Sequence, residues 1–241
     1  MSKSNYTPLP AQALASDDIM HMFWYGVAIF SAILALAAPW IGCAVGFGDI
    51  ANFEPYNDCT EDGETELRCF EDTNLSISCV LITPAASSMF AAGMCGFYSV
   101  LAPSLFTCIR DLFNNNNLQR QWCYTLLVLE CIGMGCTVLV PMLTNFTTIM
   151  HGVAFVTWAS VATTLVVWLA VKSKDTDYYR KDVLWYRMIG FMVAIPTMTI
   201  AFLVVRPYWK PAVRTTEYLA LVQALLTALP LCDQSFARDK Q

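Results

Sequence analysis

Apolar residues fall into six long runs along the chain, separated by short polar segments. The runs are approximately 22–47, 80–108, 122–143, 150–171, 188–205 and 215–231. A helix needs about 20 apolar residues to cross about 30 Å of hydrocarbon, and each run reaches or approaches that length. One such run is compatible with a buried core helix, but six with almost no internal charge predict six transmembrane helices.

This pattern predicts an all-α, polytopic membrane protein built as a six-helix bundle. The membrane domain is expected at 22–232, between a cytosolic amino-terminal tail at 1–21 and a cytosolic carboxy-terminal tail at 233–241. The first twenty residues are polar, and the apolar run that follows exceeds the about 7–15 residues of a signal-peptide core. The first span is therefore predicted to be a retained signal-anchor.

Composition excludes several classes of protein. Of the 241 residues, 56% are hydrophobic and 14% are charged, whereas about 25% of a soluble domain is charged. The mean hydropathy is +0.49, which is unlike a soluble enzyme or a disordered regulator. Nucleic-acid binding needs a basic face, but 19 acidic residues outnumber 14 basic ones. We therefore expect membrane lipids, and no nucleic acid, as partners.

Charge placement predicts the orientation. The segment 49–78 between the first two spans holds nine acidic residues and one basic residue, Arg68. The loop 172–187 between the fourth and fifth spans is instead basic, with Lys172, Lys174, Arg180, Lys181 and Arg187. Basic loops stay in the cytosol, so 172–187 and both termini are predicted to be cytosolic. Three bases between 206 and 214 oppose this assignment weakly.

The acidic outer loop also carries cysteines. Cys59, Cys69 and Cys79 lie in it or at its membrane edge, where they would face an oxidising compartment. A Cys59–Cys69 disulfide would close a short loop and contribute about 2–3 kcal/mol. Cys43, near the outer end of the first span, is an available partner for the remaining cysteine, and the connectivity stays open.

Two other features of this loop concern modification and metal binding. Asn74-Leu75-Ser76 is an N-glycosylation sequon on the outer side, close to the second span. The acidic residues lack the alternating oxygen ligands of an EF-hand, so a solvated acidic face is predicted. We expect neither a metal nor a cofactor.

Small residues predict close helix packing. Ala38, Gly42 and Gly46 repeat every four positions on the first span, and Ser88, Ala92 and Gly96 do so on the second. Such spacing lets two helix backbones approach closely. Packing within one bundle is the favoured use, and the oligomeric state is left open.

One acidic residue lies deep inside a span. Glu130 is about 12 Å below the cytosolic edge of the third span at 1.5 Å per residue. Because charge in hydrocarbon is costly, Glu130 is predicted to be neutral or hydrogen-bonded. A structural contact, for example with Gln223, is the simpler role, and proton chemistry is the alternative.

A second pair of ionisable residues lies at the outer face. His151 opens the fourth span and Glu217 opens the sixth, so their side chains are expected at similar depth. They form a candidate pH-sensitive or lipid-headgroup pair, assisted by Arg214 three residues before Glu217. A purely structural interhelical hydrogen bond of about 0.6–2 kcal/mol is the competing interpretation. H-E-x-x-H, G-x-S-x-G, P-loop and dinucleotide motifs are missing from the sequence, so no catalytic residues are assigned.

Several segments together resemble the DRAM family of damage-regulated autophagy modulators and its GPI-lipid-remodelling relatives. They are LLVLECIGMGCTVLVPM at 126–142, His151-Gly152, Arg187-Met188, Ile195-Pro196, Thr216-Glu217-Tyr218 and Phe236-Ala237-Arg238-Asp239. The resemblance covers 122–239. It implies a six-span bundle in an endolysosomal, Golgi or plasma membrane, linked to autophagy, lipid remodelling or phosphoinositide-kinase recruitment, without a common catalytic chemistry.

Two functions remain. The first is a non-enzymatic membrane modulator or adaptor whose loop 172–187 meets anionic lipid or a cytosolic protein. The second is a lipid-handling membrane enzyme or transporter that uses His151 and Glu217. A claudin-like junction protein is disfavoured by the number of spans and by an outer loop without tryptophan.

Overall fold

A computed structural model describes the six helical regions of the chain. The described residues are 11–46, 81, 84–139, 145–174, 176, 178, 180–201, 204 and 211–233. The helices are α1 (Ala11–Gly46), α2 (Pro84–Leu112), α3 (Asn117–Leu139), α4 (Asn145–Lys174), α5 (Lys181–Ile200) and α6 (Pro211–Cys232). Each of the six is long and apolar enough to cross a membrane. The predicted all-helical, six-span fold is confirmed.

Three helix ends extend beyond the apolar runs of the sequence. Helix α5 begins at Lys181, about two turns before the apolar run that starts at 188, and α4 continues to Lys174. The connection placed at 172–187 therefore narrows to 175–180. Helix α1 likewise begins at Ala11, inside the segment 1–21 that was assigned to a tail. Hydropathy falls wherever charged residues appear, but a helix continues through charges at its ends, so an apolar run underestimates helix length.

The helix starts follow from local sequence. Proline is the first residue of both α2 and α6, at Pro84 and Pro211; its missing N–H costs nothing there and its fixed φ suits the first turn. The side chain of Asn116 caps α3, because its Oδ1 accepts a hydrogen bond from the Gln119 N–H at 3.1 Å.

The helices form a closed ring in which each helix contacts the next and α6 returns to α1. Helix α2 also contacts α4 and α6, so it contributes most to the centre of the bundle. Its buried face includes Phe97, Leu101, Leu105 and Ile109. Large apolar side chains also cover the outside, where they face the lipid, as a spanning bundle requires.

Helices α1 and α2 approach each other closely. A Cβ atom on Gly93 would lie 2.5 Å from the backbone nitrogen of Ala35 and 2.8 Å from the carbonyl oxygen of Ser31. A Cβ on Gly96 would lie 3.2 Å from the Ser31 Cβ. Ala38 is fully buried, as the small-residue pattern predicts. Ser88 and Ala92 are instead exposed, so the α2 contact runs through Gly93 rather than through them.

Candidate functional site

Four polar side chains from four different helices meet inside the bundle. Trp158 of α4 donates its indole N–H to the Tyr98 hydroxyl of α2 at 2.8 Å. The Tyr98 hydroxyl donates to Glu130 Oε1 of α3 at 3.0 Å, and Arg187 Nη2 of α5 donates to the same oxygen at 3.1 Å. We call these four residues the polar cluster.

The ion pair in the polar cluster is almost completely buried. The side chains of Glu130 and Arg187 are 1% and 3% exposed. Glu130 lies about 20 Å from the start of α3 and about 14 Å from its end at 1.5 Å per residue, well inside the hydrocarbon. A single charged group there costs about 2.5–3.5 kcal/mol on insertion scales. Pairing the two charges offsets this cost for both.

Aromatic rings and glycines enclose the ion pair. The Arg187 guanidinium carbon lies 5.3 Å from the centroid of the Phe191 ring, within cation–π range, and that ring packs 6.1 Å from Trp158. Three residues after each charged residue there is a glycine. A Cβ on Gly133 would lie 3.1 Å from the Trp158 backbone, and one on Gly190 would lie 3.0 Å from the Thr227 methyl group. These glycines let α4 and α6 close over the pair.

A second buried arginine fixes the end of α6. Arg180 is 3% exposed; its Nη1 donates to the Leu231 carbonyl at 3.1 Å and its Nη2 to the Asp233 carbonyl at 3.2 Å. Nη1 also lies 3.9 Å from the Cys108 sulfur of α2. The last carbonyls of a helix lack intrahelical donors, so Arg180 caps α6 and ties it to α2.

These two arginines correct the interpretation of the basic loop. Arg180 and Arg187 are buried, whereas Lys174 and Lys181 are exposed and Lys172 is half-buried. The planar, weakly hydrated guanidinium suits buried pairing, and the strongly hydrated ammonium suits the surface. Of the five bases counted between 172 and 187, the three lysines are therefore the ones that present positive charge to the surface.

The outer-face pair is described in part. His151 and Glu217 are half-buried near the beginnings of α4 and α6, and both take part in interactions within the protein. Arg214 belongs to α6, with its side chain outside the described residues. The pairing of His151 with Glu217 stays a prediction.

Several other predicted sites lie outside the described residues. They are Cys59, Cys69, Cys79, Asn74 and the side chain of Cys43. The six cysteines that the structure describes are free thiols. Within the same part of the chain, no group of three or more His, Cys, Asp or Glu side chains could hold a metal ion.

Sequence analysis placed Glu130 inside the bundle but missed its partners Arg187 and Tyr98, and missed Trp158, which donates to Tyr98. A signal for Arg187 was present, because a buried carboxylate calls for a cation and Arg187 directly precedes the fifth apolar run. The tyrosine and tryptophan carry no such signal, since both are common on lipid-facing and core surfaces of spans.

No protein-family model, curated protein or solved structure matches this chain. Functional inference therefore rests on the residues and their geometry. The polar cluster joins α2, α3 and α5 through one carboxylate oxygen and α4 through the Tyr98 hydroxyl, in the buried interior of the bundle. Such an arrangement holds helices in a fixed relation, and it presents no nucleophile paired with a base.

Proposed function

We propose that this chain is a non-enzymatic, multi-pass membrane modulator of the DRAM type. It acts at an endolysosomal, Golgi or plasma membrane, with both termini and its basic end in the cytosol. The observation that carries the proposal is the exposure of Lys174 and Lys181 at the adjoining ends of α4 and α5. The segments that resemble the DRAM family support the same assignment.

The topology of the bundle gathers further charge at this end. The connection 113–116, the connection 175–180 and the end of α6 lie on one side of the membrane when consecutive spans alternate in direction. Arg110 and Arg120 also lie there, and Arg110 pairs with Asp111 at 3.0 Å. Arg120 and the lysines supply the positive charge that remains, and each basic residue beside an anionic leaflet contributes about 1 kcal/mol of attraction. Exposed Asp182, together with Asp175 and Asp177 in the sequence between α4 and α5, reduces the total.

The polar cluster supports a non-enzymatic role. Its ionisable groups contact one another and are closed off from both solvent and lipid. A catalytic acid or base must instead reach a substrate proton. The cluster is therefore assigned to holding the bundle together, and contact with partners is assigned to the lysine-bearing end.

Lipid selectivity tests the surface directly. Purified protein is reconstituted in phosphatidylcholine containing a trace of spin-labelled phosphatidylserine or spin-labelled phosphatidylcholine. We expect a several-fold preference of the protein surface for phosphatidylserine. The preference should fall in the triple variant Lys172→Gln/Lys174→Gln/Lys181→Gln and persist when the same lysines are changed to arginine. Equal selectivity in the glutamine and arginine variants would contradict a role for these charges.

Complementation distinguishes the modulator from a lipid-handling enzyme. Cells lacking the protein are supplied with wild type, the triple lysine-to-glutamine variant, or a His151→Ala/Glu217→Gln variant, and lysosomal turnover of an autophagy substrate is measured. A modulator should retain activity in the His151/Glu217 variant and lose it in the lysine variant. The opposite result, with both variants at normal level and location, would favour the enzyme or transporter that uses His151 and Glu217.

A further inference from the structure

The ion pair of the polar cluster uses only part of its hydrogen-bonding capacity. Glu130 Oε1 accepts from both Tyr98 and Arg187. Glu130 Oε2 is buried and has no hydrogen-bond partner among the described residues, and the same is true of Arg187 Nε. One carboxylate acceptor and one guanidinium donor are therefore left over in the middle of the membrane.

The two unpaired atoms lie beside the existing contact. Oε2 is bonded to the same carbon as Oε1, and Nε is bonded to the same carbon as Nη2, which are the two atoms of the 3.1 Å ion pair. A buried polar atom without a partner costs about 1–3 kcal/mol, and more when the group is charged. Proteins satisfy such atoms with internal water, which typically makes about three hydrogen bonds in its site.

The chemistry of the two atoms selects the ligand. Oε2 needs a donor and Nε needs an acceptor, so the ligand must be both. A metal cation would suit the carboxylate but would be repelled by the guanidinium, and an anion would suit the guanidinium but would be repelled by the carboxylate. A neutral water molecule donates to one and accepts from the other.

We propose that one internal water molecule binds between Glu130 Oε2 and Arg187 Nε. It extends the polar cluster from Trp158 through Tyr98 and Glu130 to a second connection with Arg187. Glu130 and Arg187 are then connected both directly and through the water, and each of the two atoms left over gains a hydrogen-bond partner without access to bulk solvent. Gly133 and Gly190 leave the enclosing helices close enough to keep this water isolated from lipid.

Infrared spectroscopy of the whole protein in lipid nanodiscs tests the site, because the O–H stretching band of an internal water shifts when H2-16O is exchanged for H2-18O. We expect wild type to show such an isotope-sensitive band. The double variant Glu130→Leu/Arg187→Leu removes both unpaired atoms without leaving a single buried charge, and it should lose the band. Tyr98→Phe is the matched control, since it removes a hydrogen bond from Oε1 and leaves Oε2 and Nε in place; it should keep the band.

Identical isotope-sensitive spectra in wild type and the folded double variant would overturn the proposal. If the double variant does not fold, Glu130→Gln serves instead, because a water donating to an amide rather than to a carboxylate forms a weaker hydrogen bond. Its band should then move to higher frequency, and an unmoved band would overturn the proposal. A high-resolution density map showing an elongated lipid group at this position, or no density, would also contradict it.

Discussion

The bundle holds its helices together in two different ways on its two sides. Where α1 meets α2, the contact is built from small residues, and Gly93 brings one backbone against that of Ala35 and Ser31. Where α2, α3, α4 and α5 meet, the contact is built from large polar side chains that converge on Glu130. The first interface is apolar and has backbones in close contact, and the second contains a buried ion pair.

Both kinds of interface follow from the properties of lipid as the solvent around the helices. Lipid tails are as apolar as leucine, so burying apolar surface between two spans does not itself favour their association. Helix association relies instead on close packing and on interhelical hydrogen bonds. The α1–α2 interface depends on close packing, and the polar cluster adds interhelical hydrogen bonds to close packing at Gly133 and Gly190. The two interfaces should consequently fail differently: the small-residue interface through added volume, and the polar cluster through unbalanced charge.

The largest expected effect comes from removing one charge of the ion pair. Arg187→Leu leaves Glu130 buried without its cation, and removing one partner of a buried ion pair typically lowers the free energy of unfolding by about 3–5 kcal/mol. Reversible unfolding of the protein in mixed micelles, followed by the fraction of folded protein against denaturant, measures the loss.

A double variant and a surface control make this prediction specific to charge balance. Glu130→Leu/Arg187→Leu should recover most of the lost stability, because replacing a whole buried ion pair by apolar residues is often nearly neutral. Lys181→Leu changes an exposed base on the same helix and should have little effect. A double variant as unstable as Arg187→Leu would show that packing, rather than charge, dominates the polar cluster.

The next largest loss of stability is expected from adding side-chain volume at the α1–α2 interface. Gly93→Val places a Cβ 2.5 Å from the Ala35 nitrogen, so the helices must separate. Overpacking of this kind costs about 1–3 kcal/mol and occasionally more. The same unfolding measurement should show this loss for Gly93→Val and not for Gly26→Val, since a Cβ on Gly26 meets nothing within 4 Å. Equal losses at both glycines would point to helix propensity instead.

These two interfaces also show what a sequence can reveal. Six spans were predictable because hydropathy is averaged over about 20 residues, so a few polar residues within a span do not change the result. The small-residue pattern located the α1–α2 contact but chose Ser88 and Ala92 over Gly93, because a repeat of four residues fixes the helix face only to within one position. The burial of Glu130 was also predictable, since an acid deep in a span has few alternatives.

The partners of Glu130 depended on information that a single sequence lacks. Arg187 is 57 residues from Glu130 along the chain. Sequence analysis assigned Arg187 to a basic loop because the start of α5 was not known. The packing of α3 against α4 and of α4 against α5 brings these residues together. A sequence pattern describes one helix at a time, whereas the polar cluster forms only when four helices pack together.

A smaller effect is expected within the polar cluster when charge is left unchanged. Tyr98→Phe removes the hydroxyl that accepts from Trp158 and donates to Glu130 but keeps the ring. We expect a loss of about 1 kcal/mol in the free energy of unfolding, well below that of Arg187→Leu. Tyr124→Phe is the control, because the Tyr124 ring stacks on Phe106 at 4.5 Å and keeps that contact without its hydroxyl. A loss for Tyr98→Phe as large as that for Arg187→Leu would place the hydroxyl, rather than the ion pair, at the centre of the cluster.

The smallest effect on stability is expected at the outer ends of α4 and α6. The experiment there tests for a second polar contact between helices. A double-mutant cycle of His151→Ala and Glu217→Ala measures the coupling between the two side chains. A direct interhelical contact predicts a coupling of about 0.6–2 kcal/mol. A pH-sensitive pair predicts a coupling that differs between pH 5 and pH 7, whereas a structural hydrogen bond alone predicts equal coupling at the two pH values. Zero coupling would remove the pairing, and the outer end would then depend on contacts such as the Tyr218 ring packed 5.7 Å from Trp40. Equal coupling at both pH values would mean that the pair contributes a structural contact without sensing acidity.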